Sequence, residues 1–153
     1  MDAEERACRA RENFTNGYNC AQSVAMAFAD VFGERGVSPD VVARLSSPFG
    51  GGMGRLREVC GAVSAMLMVL GVVEGYDDPT TFDAKMELYQ KVQRLAGEYR
   101  AQNGSVICRE LLGLDEGPSE ARPERRTDEY YKRRPCAELC ASAARTLAEY
   151  LGE

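Results

Sequence analysis

Six cysteines and no histidine set the chemistry open to this chain. Without imidazole, the usual zinc ligand and the usual general base near neutral pH are both missing. Metal or redox chemistry must then run on thiols, carboxylates or backbone groups. The cysteines are Cys8, Cys20, Cys60, Cys108, Cys136 and Cys140. None forms a C-x-x-C pair, which argues against a thioredoxin-type motif and against zinc ribbons or knuckles. Any shared site must therefore be assembled by the tertiary fold.

Four of the six fall where helices are expected to start. Cys20 follows Asn19, a good N-cap, and Cys60 lies near the first turn of an apolar run. Cys108 stands three residues after Ser105, and Cys136 follows Pro135, a residue suited to the first helical position. An opening turn offers unpaired N–H groups and the positive end of the helix dipole, which stabilise a thiolate and lower its pKa. Arg57, Arg109, Arg133 and Arg134 are close in sequence and add to this effect if they face the thiols. The competing reading is burial, because free cysteine often serves as a small core residue. Cys140 shares a stripe with Leu139 and Ala143 and is expected in the core. Cys8 sits in a charged N-terminal segment with no context for chemistry.

Helical periodicity dominates the elements that must position these residues. Residues 2–14 suit a short, charged, peripheral helix. A second runs from about Asn19 to Phe32 with Ala21, Val24, Ala25, Phe28 and Phe32 at helical spacing. Ser38-Pro39-Asp40 opens a short third that ends before Pro48. The apolar stretch at about 56–73 reads as a central core helix. A long amphipathic helix follows to about Ala101, with Phe82, Met86, Tyr89, Val92, Leu95, Ala96 and Tyr99 on one stripe. Ser105 caps a short helix to Leu112, residues 115–134 form a long surface connection, and Pro135 opens the last helix. No segment alternates at period two. The expectation is one all-α domain over 1–153, an irregular bundle of five to six helices around the 56–73 helix.

Other features carry less. Phe49-Gly50-Gly51-Gly52-Met53-Gly54-Arg55 lacks the Gly-Lys-Ser/Thr ending and the preceding strand of a phosphate-binding loop. It reads as turn geometry shaping a cleft beside Cys60. Gly61, Ala62 and Ala65 form a small-residue face that admits a helix or a cofactor closely. The arginines and tyrosines of 122–134 read as a solvated connection.

The net charge of −5 disfavours nucleic acid and anionic lipid as partners. The charged N-terminus has no apolar signal region, and the longest apolar stretch is about four residues short of a membrane span. The expected setting is the reducing cytoplasm, where structural disulfides are rare.

Asn19-Cys20-Ala21-Gln22-Ser23-Val24, the glycine run, Glu58-Val59-Cys60-Gly61-Ala62-Val63-Ser64-Ala65, Cys108-Arg109-Glu110-Leu111-Leu112-Gly113 and Cys136 occur in order with compatible gaps. Together they resemble the C_GCAxxG_C_C family, small helical proteins to which a redox role is ascribed. The resemblance covers roughly 15–150. It implies that Cys20, Cys60, Cys108 and Cys136 are the signature cysteines, and it departs at Ala65, where the family's motif usually has glycine. The family is also similar to the N-terminal part of split-Soret cytochromes, whose cysteines are associated with an iron–sulfur centre. Haem is not implied, because the chain has no C-x-x-C-H motif.

Three functions fit, in this order. The first has Cys20, Cys60, Cys108 and Cys136 converging as ligands of an iron–sulfur or other metal centre for electron transfer, with Gly61 and Ala62 beside the cofactor. The second is a metal-free thiol–disulfide protein that cycles with a redox partner. The third is a structural or interaction module with core or structural-zinc cysteines. A homodimer is compatible with each.

Overall fold

Local sequence signals set most of the helix boundaries. The computed structural model describes residues 1–153. Asp2 caps α1 (Ala3–Thr15) in a reciprocal box with Glu5, and Asn19 does the same with Gln22 for α2 (Cys20–Ala27). The chain continues through α3 (Ala29–Gly33) and α4 (Pro39–Ser46), which has proline in its first turn. Then come α5 (Gly61–Glu74), α6 (Phe82–Asn103), α7 (Cys108–Leu111), α8 (Asp128–Arg133) and α9 (Cys136–Leu151). The protein is all-α, with one isolated antiparallel bridge between Val59 and Ile107. No helix is long and apolar enough to cross a membrane.

Nine helices replace the five to six expected, and two of the differences have clear causes. The expected helix from Asn19 to Phe32 is interrupted at Phe28, whose φ/ψ of −116°/26° breaks the spiral. Arg6 is the reason. Its Nη1 donates to the Ala27 carbonyl at 2.9 Å, and its guanidinium stacks 4.5 Å above the Phe28 ring. The expected surface connection at 115–134 contains α8, capped by the Thr127 side chain, which accepts from the Tyr130 N–H.

The core lies between α2, α5 and α9, with α1 laid along α9. Phe14, Val24, Phe28, Phe32, Met66, Leu70, Leu95, Tyr99 and Leu147 fill it. The helix expected over 56–73 begins at Gly61 and is not enclosed, since Gly71 is exposed and Leu67, Met68 and Val72 are only half-buried. The helix that contributes most buried residues is α9, which touches α1, α2, α5 and α6. On α6 the apolar stripe is buried only near its end, at Leu95 and Tyr99, while Phe82 is 77% exposed.

Between the short 3-10 turn Ser47–Phe49 and α5, the backbone changes hand. Gly51, Gly52, Met53, Gly54 and Arg55 all have φ between 59° and 71°. They form a left-handed turn, held by Gly54 N–H to the Gly50 carbonyl and Glu58 N–H to the Gly52 carbonyl at 3.0 Å. Such a turn is strained for residues with a Cβ, which is why three of the five are glycine. At Gly52 a Cβ would lie 2.6 Å from the Cys108 Cβ and 2.7 Å from the Glu58 nitrogen.

Candidate functional site

The four signature cysteines occupy equivalent places at four helix starts. Cys20, Cys108 and Cys136 are the first residues of α2, α7 and α9, and Cys60 is the N-cap residue of α5. The lone bridge brings two of them together. Cys60 N–H donates to the Val106 carbonyl at 2.8 Å, and Cys108 N–H to the Glu58 carbonyl at 2.6 Å. Cys60 and Cys108 are buried, whereas Val59, on the other face, is exposed. Gly61 lets α5 approach α2, because a Cβ there would stand 2.5 Å from the Cys20 Sγ and 2.6 Å from the Phe49 carbonyl oxygen.

Cys20, Cys60, Cys108 and Cys136 all line one cavity of about 270 Å³. Cys8 and Cys140 do not. Cys8 is exposed on α1, 3.5 Å from Glu12 Oε1, and Cys140 is fully buried with its thiol donating to the Cys20 carbonyl at 3.6 Å. The apolar wall is contributed by Phe14, Leu111, Leu112 and Leu139. The glycine run forms part of the rim, as expected for a segment shaping a cleft.

Sharing a cavity does not make the sulfurs a ligand set. No group of three or more Cys, Asp or Glu side chains is arranged to hold a metal ion. This overturns the expected iron–sulfur or other metal centre on Cys20, Cys60, Cys108 and Cys136, and structural zinc with it. The physical reason is that separate partners hold these thiols around an open volume. Cys60 Sγ lies 3.6 Å from the Tyr99 hydroxyl, Arg57 Nη1 donates to Cys108 Sγ at 3.5 Å, and Cys20 faces the backbone N–H groups of Gly51, Ala21 and Gly61. Of the two residues expected beside a cofactor, Gly61 lines the cavity and Ala62 is wholly buried in the core. All six cysteines are free and no two are at disulfide distance.

Burial reverses the expected acidification. It pushes the Cys20 thiol up, against the pull of its three backbone N–H neighbours. Cys60 is pushed up to about 12 by burial and by the nearness of Cys20, opposed by the Tyr99 hydroxyl. Cys136 is also pushed up to about 12 by burial and by Cys20 and Cys60, although Arg134 pulls the other way. A helix start tilts the equilibrium modestly, whereas removing a thiolate from water shifts it by several units. These three are therefore neutral thiols near pH 7.

Sequence reasoning singled out Arg57 and Arg134 beside the thiols but missed Arg55 and Arg126, and with them the basic wall. Arg55, Arg57, Arg126 and Arg134 line the cavity, with Glu124 as the one carboxylate among the lining residues. Arg57 is 4% exposed and also donates from Nε to the Ser119 hydroxyl at 2.9 Å. Arg126 reaches the carbonyls of Phe14 and Tyr18 and stacks on Phe14, Tyr130 and Tyr131. The mixture of arginine and tyrosine in 122–134 was the available signal, but a basic run at the surface and one folded over a cavity look alike in one dimension.

Geometry thus defines a small helical protein with a thiol-lined, arginine-walled cavity. The family pattern described as "Putative redox-active protein (C_GCAxxG_C_C)" matches residues 18–150, and the chain belongs to this family. No curated protein and no solved structure matches it.

Proposed function

We propose that the protein binds a small molecule in the thiol-lined cavity and acts on it through Cys108. The observation that carries this reading is the convergence of all four family cysteines, and neither of the other two, on one cavity. Cys108 is singled out because its sulfur alone accepts from a guanidinium, that of Arg57. That contact fixes where the sulfur points, and a fixed sulfur is what attack on a bound molecule requires. The step this allows is attack of Cys108 Sγ on an electrophilic atom of the bound molecule. A sulfur–ligand bond forms, and the group displaced leaves with the proton the thiol gives up. Cys20, Cys60 and Cys136 hold their protons and line the same cavity. The family's description as redox-active supports thiols as the reacting groups. Free thiols of this kind suit a reducing, cytoplasmic setting.

Iodoacetamide tests the assignment on the full-length reduced protein carrying Cys8→Ser, which removes the exposed thiol of α1. Near pH 8, Cys108 should alkylate first and Cys140 only after denaturation, read by peptide mass mapping. Cys108→Ser should abolish the fast phase and Cys136→Ser should leave it. A fast phase that survives Cys108→Ser sinks the proposal.

A further inference from the structure

We propose that the cavity is built for a small organic anion, whose carboxylate, sulfonate or phosphate group docks on Arg134 and Arg57. This rests on the reading of the cavity as a ligand site and specifies the class of ligand. Arg134 carries the argument. Its side chain is 9% exposed, and Nη2 is bonded to Glu124. Its Nε is wholly buried with no hydrogen-bond partner, the one side-chain nitrogen or oxygen in the protein so placed. Folded proteins rarely leave a charged donor desolvated and unmatched, and such exceptions point to a missing acceptor. Arg134 lines the cavity, so an anion bound there meets its guanidinium.

Charge balance points the same way. Glu124 pairs with both Arg133 and Arg134, and Arg57 and Arg55 have no carboxylate partner at all. The Arg55 guanidinium is pulled below its usual range by burial and by the nearby charges of Arg57 and Arg134, with Glu124 opposing them. A chain of net charge −5 thus concentrates uncompensated positive charge at one internal surface. Guanidiniums match carboxylate and phosphate oxygens geometrically, which makes an oxyanion the natural counterpart. Arg57 also touches Cys108, so an anion seated on it holds its organic remainder beside that thiol. Leu111, Leu112 and Leu139 offer an apolar bed, and the volume sits near the lower end for ligand sites.

Iodoacetate and iodoacetamide provide the test, since they share a leaving group and differ in charge. In the full-length protein, the iodoacetate-to-iodoacetamide rate ratio at Cys108 should exceed that of free N-acetylcysteine by about tenfold or more. Arg134→Gln should return it to the free-thiol value. Inorganic sulfate, at constant ionic strength, should slow both reagents in the natural protein and neither in the variant. If Arg134→Gln does not fold, the ratio and the sulfate protection in the natural protein decide alone. A free-thiol ratio with no sulfate protection overturns the anion site and leaves the role of Cys108 standing. If neither reagent labels Cys108 in the native state, the reactive-thiol reading fails instead. Calorimetric titration with sulfate then judges the anion site, with saturable binding supporting it and no heat refuting it.

Discussion

At the scale of single residues, a cysteine at a helix start is subject to two opposed effects. Dipole and N–H groups favour the thiolate, and burial favours the thiol. Here burial wins at Cys20, Cys60 and Cys136. That outcome ties stability to pH with a definite sign. Cys60 and Cys136 hold their protons more tightly folded, at about 12, than unfolded, at about 8.5. Their contribution is complete below the unfolded value and is lost as pH rises through the folded one. Urea midpoints should therefore fall between about pH 8.5 and 11. A Cys60→Ala/Cys136→Ser double variant should show a shallower decline than the natural protein. Equal slopes would mean these thiols are not held neutral.

At the scale of elements, the left-handed turn sets the cysteines' positions. It places strained backbone at Met53, Arg55 and Arg57, all at positive φ, next to the cavity wall. Strain of this kind persists only where the surroundings enforce it. Gly52 is the tightest point, pressed against the Cys108 Cβ and the Glu58 nitrogen. Gly52→Ala should cost about 2 kcal/mol or more in urea denaturation, from overpacking and from the conformation together. It should also remove fast alkylation at Cys108. Gly36→Ala, at a positive φ with nothing within 4 Å, separates the two effects. It should lose stability from backbone conformation alone and keep the alkylation rate.

For the whole molecule, Arg6 holds distant segments together. From α1 it reaches Asp30 at 2.5 Å, Glu153 at 2.6 Å and the Ala27 carbonyl, and it is 1% exposed. Removing one member of a buried charged cluster strands the others, although Asp30 is near enough to water to limit the loss. Arg6→Ala should destabilise by about 3 kcal/mol. Arg145→Ala, which breaks a surface pair with Glu4, should cost under about 1 kcal/mol. Chemical denaturation of the two variants side by side checks the contrast.

The sequence by itself determined what local physics controls. Asn19, Pro39 and the apolar periodicity placed helices, and the stripe Leu139, Ala143 and Leu147 is buried as its spacing requires. Asn19 and Pro135 set Cys20 and Cys136 at helix starts, whereas the starts at Cys60 and Cys108 carry no side-chain cap, and Ile107 rather than Ser105 is the N-cap residue before Cys108. Only the tertiary structure decided what those thiols face. Their protonation depends on burial, their separation on partners such as Tyr99 and Arg57, and neither is a property of neighbouring residues in the chain. The same holds for Arg134, one of several arginines in a polar stretch. Its isolated Nε exists only because folding removes it from water and brings no acceptor with it.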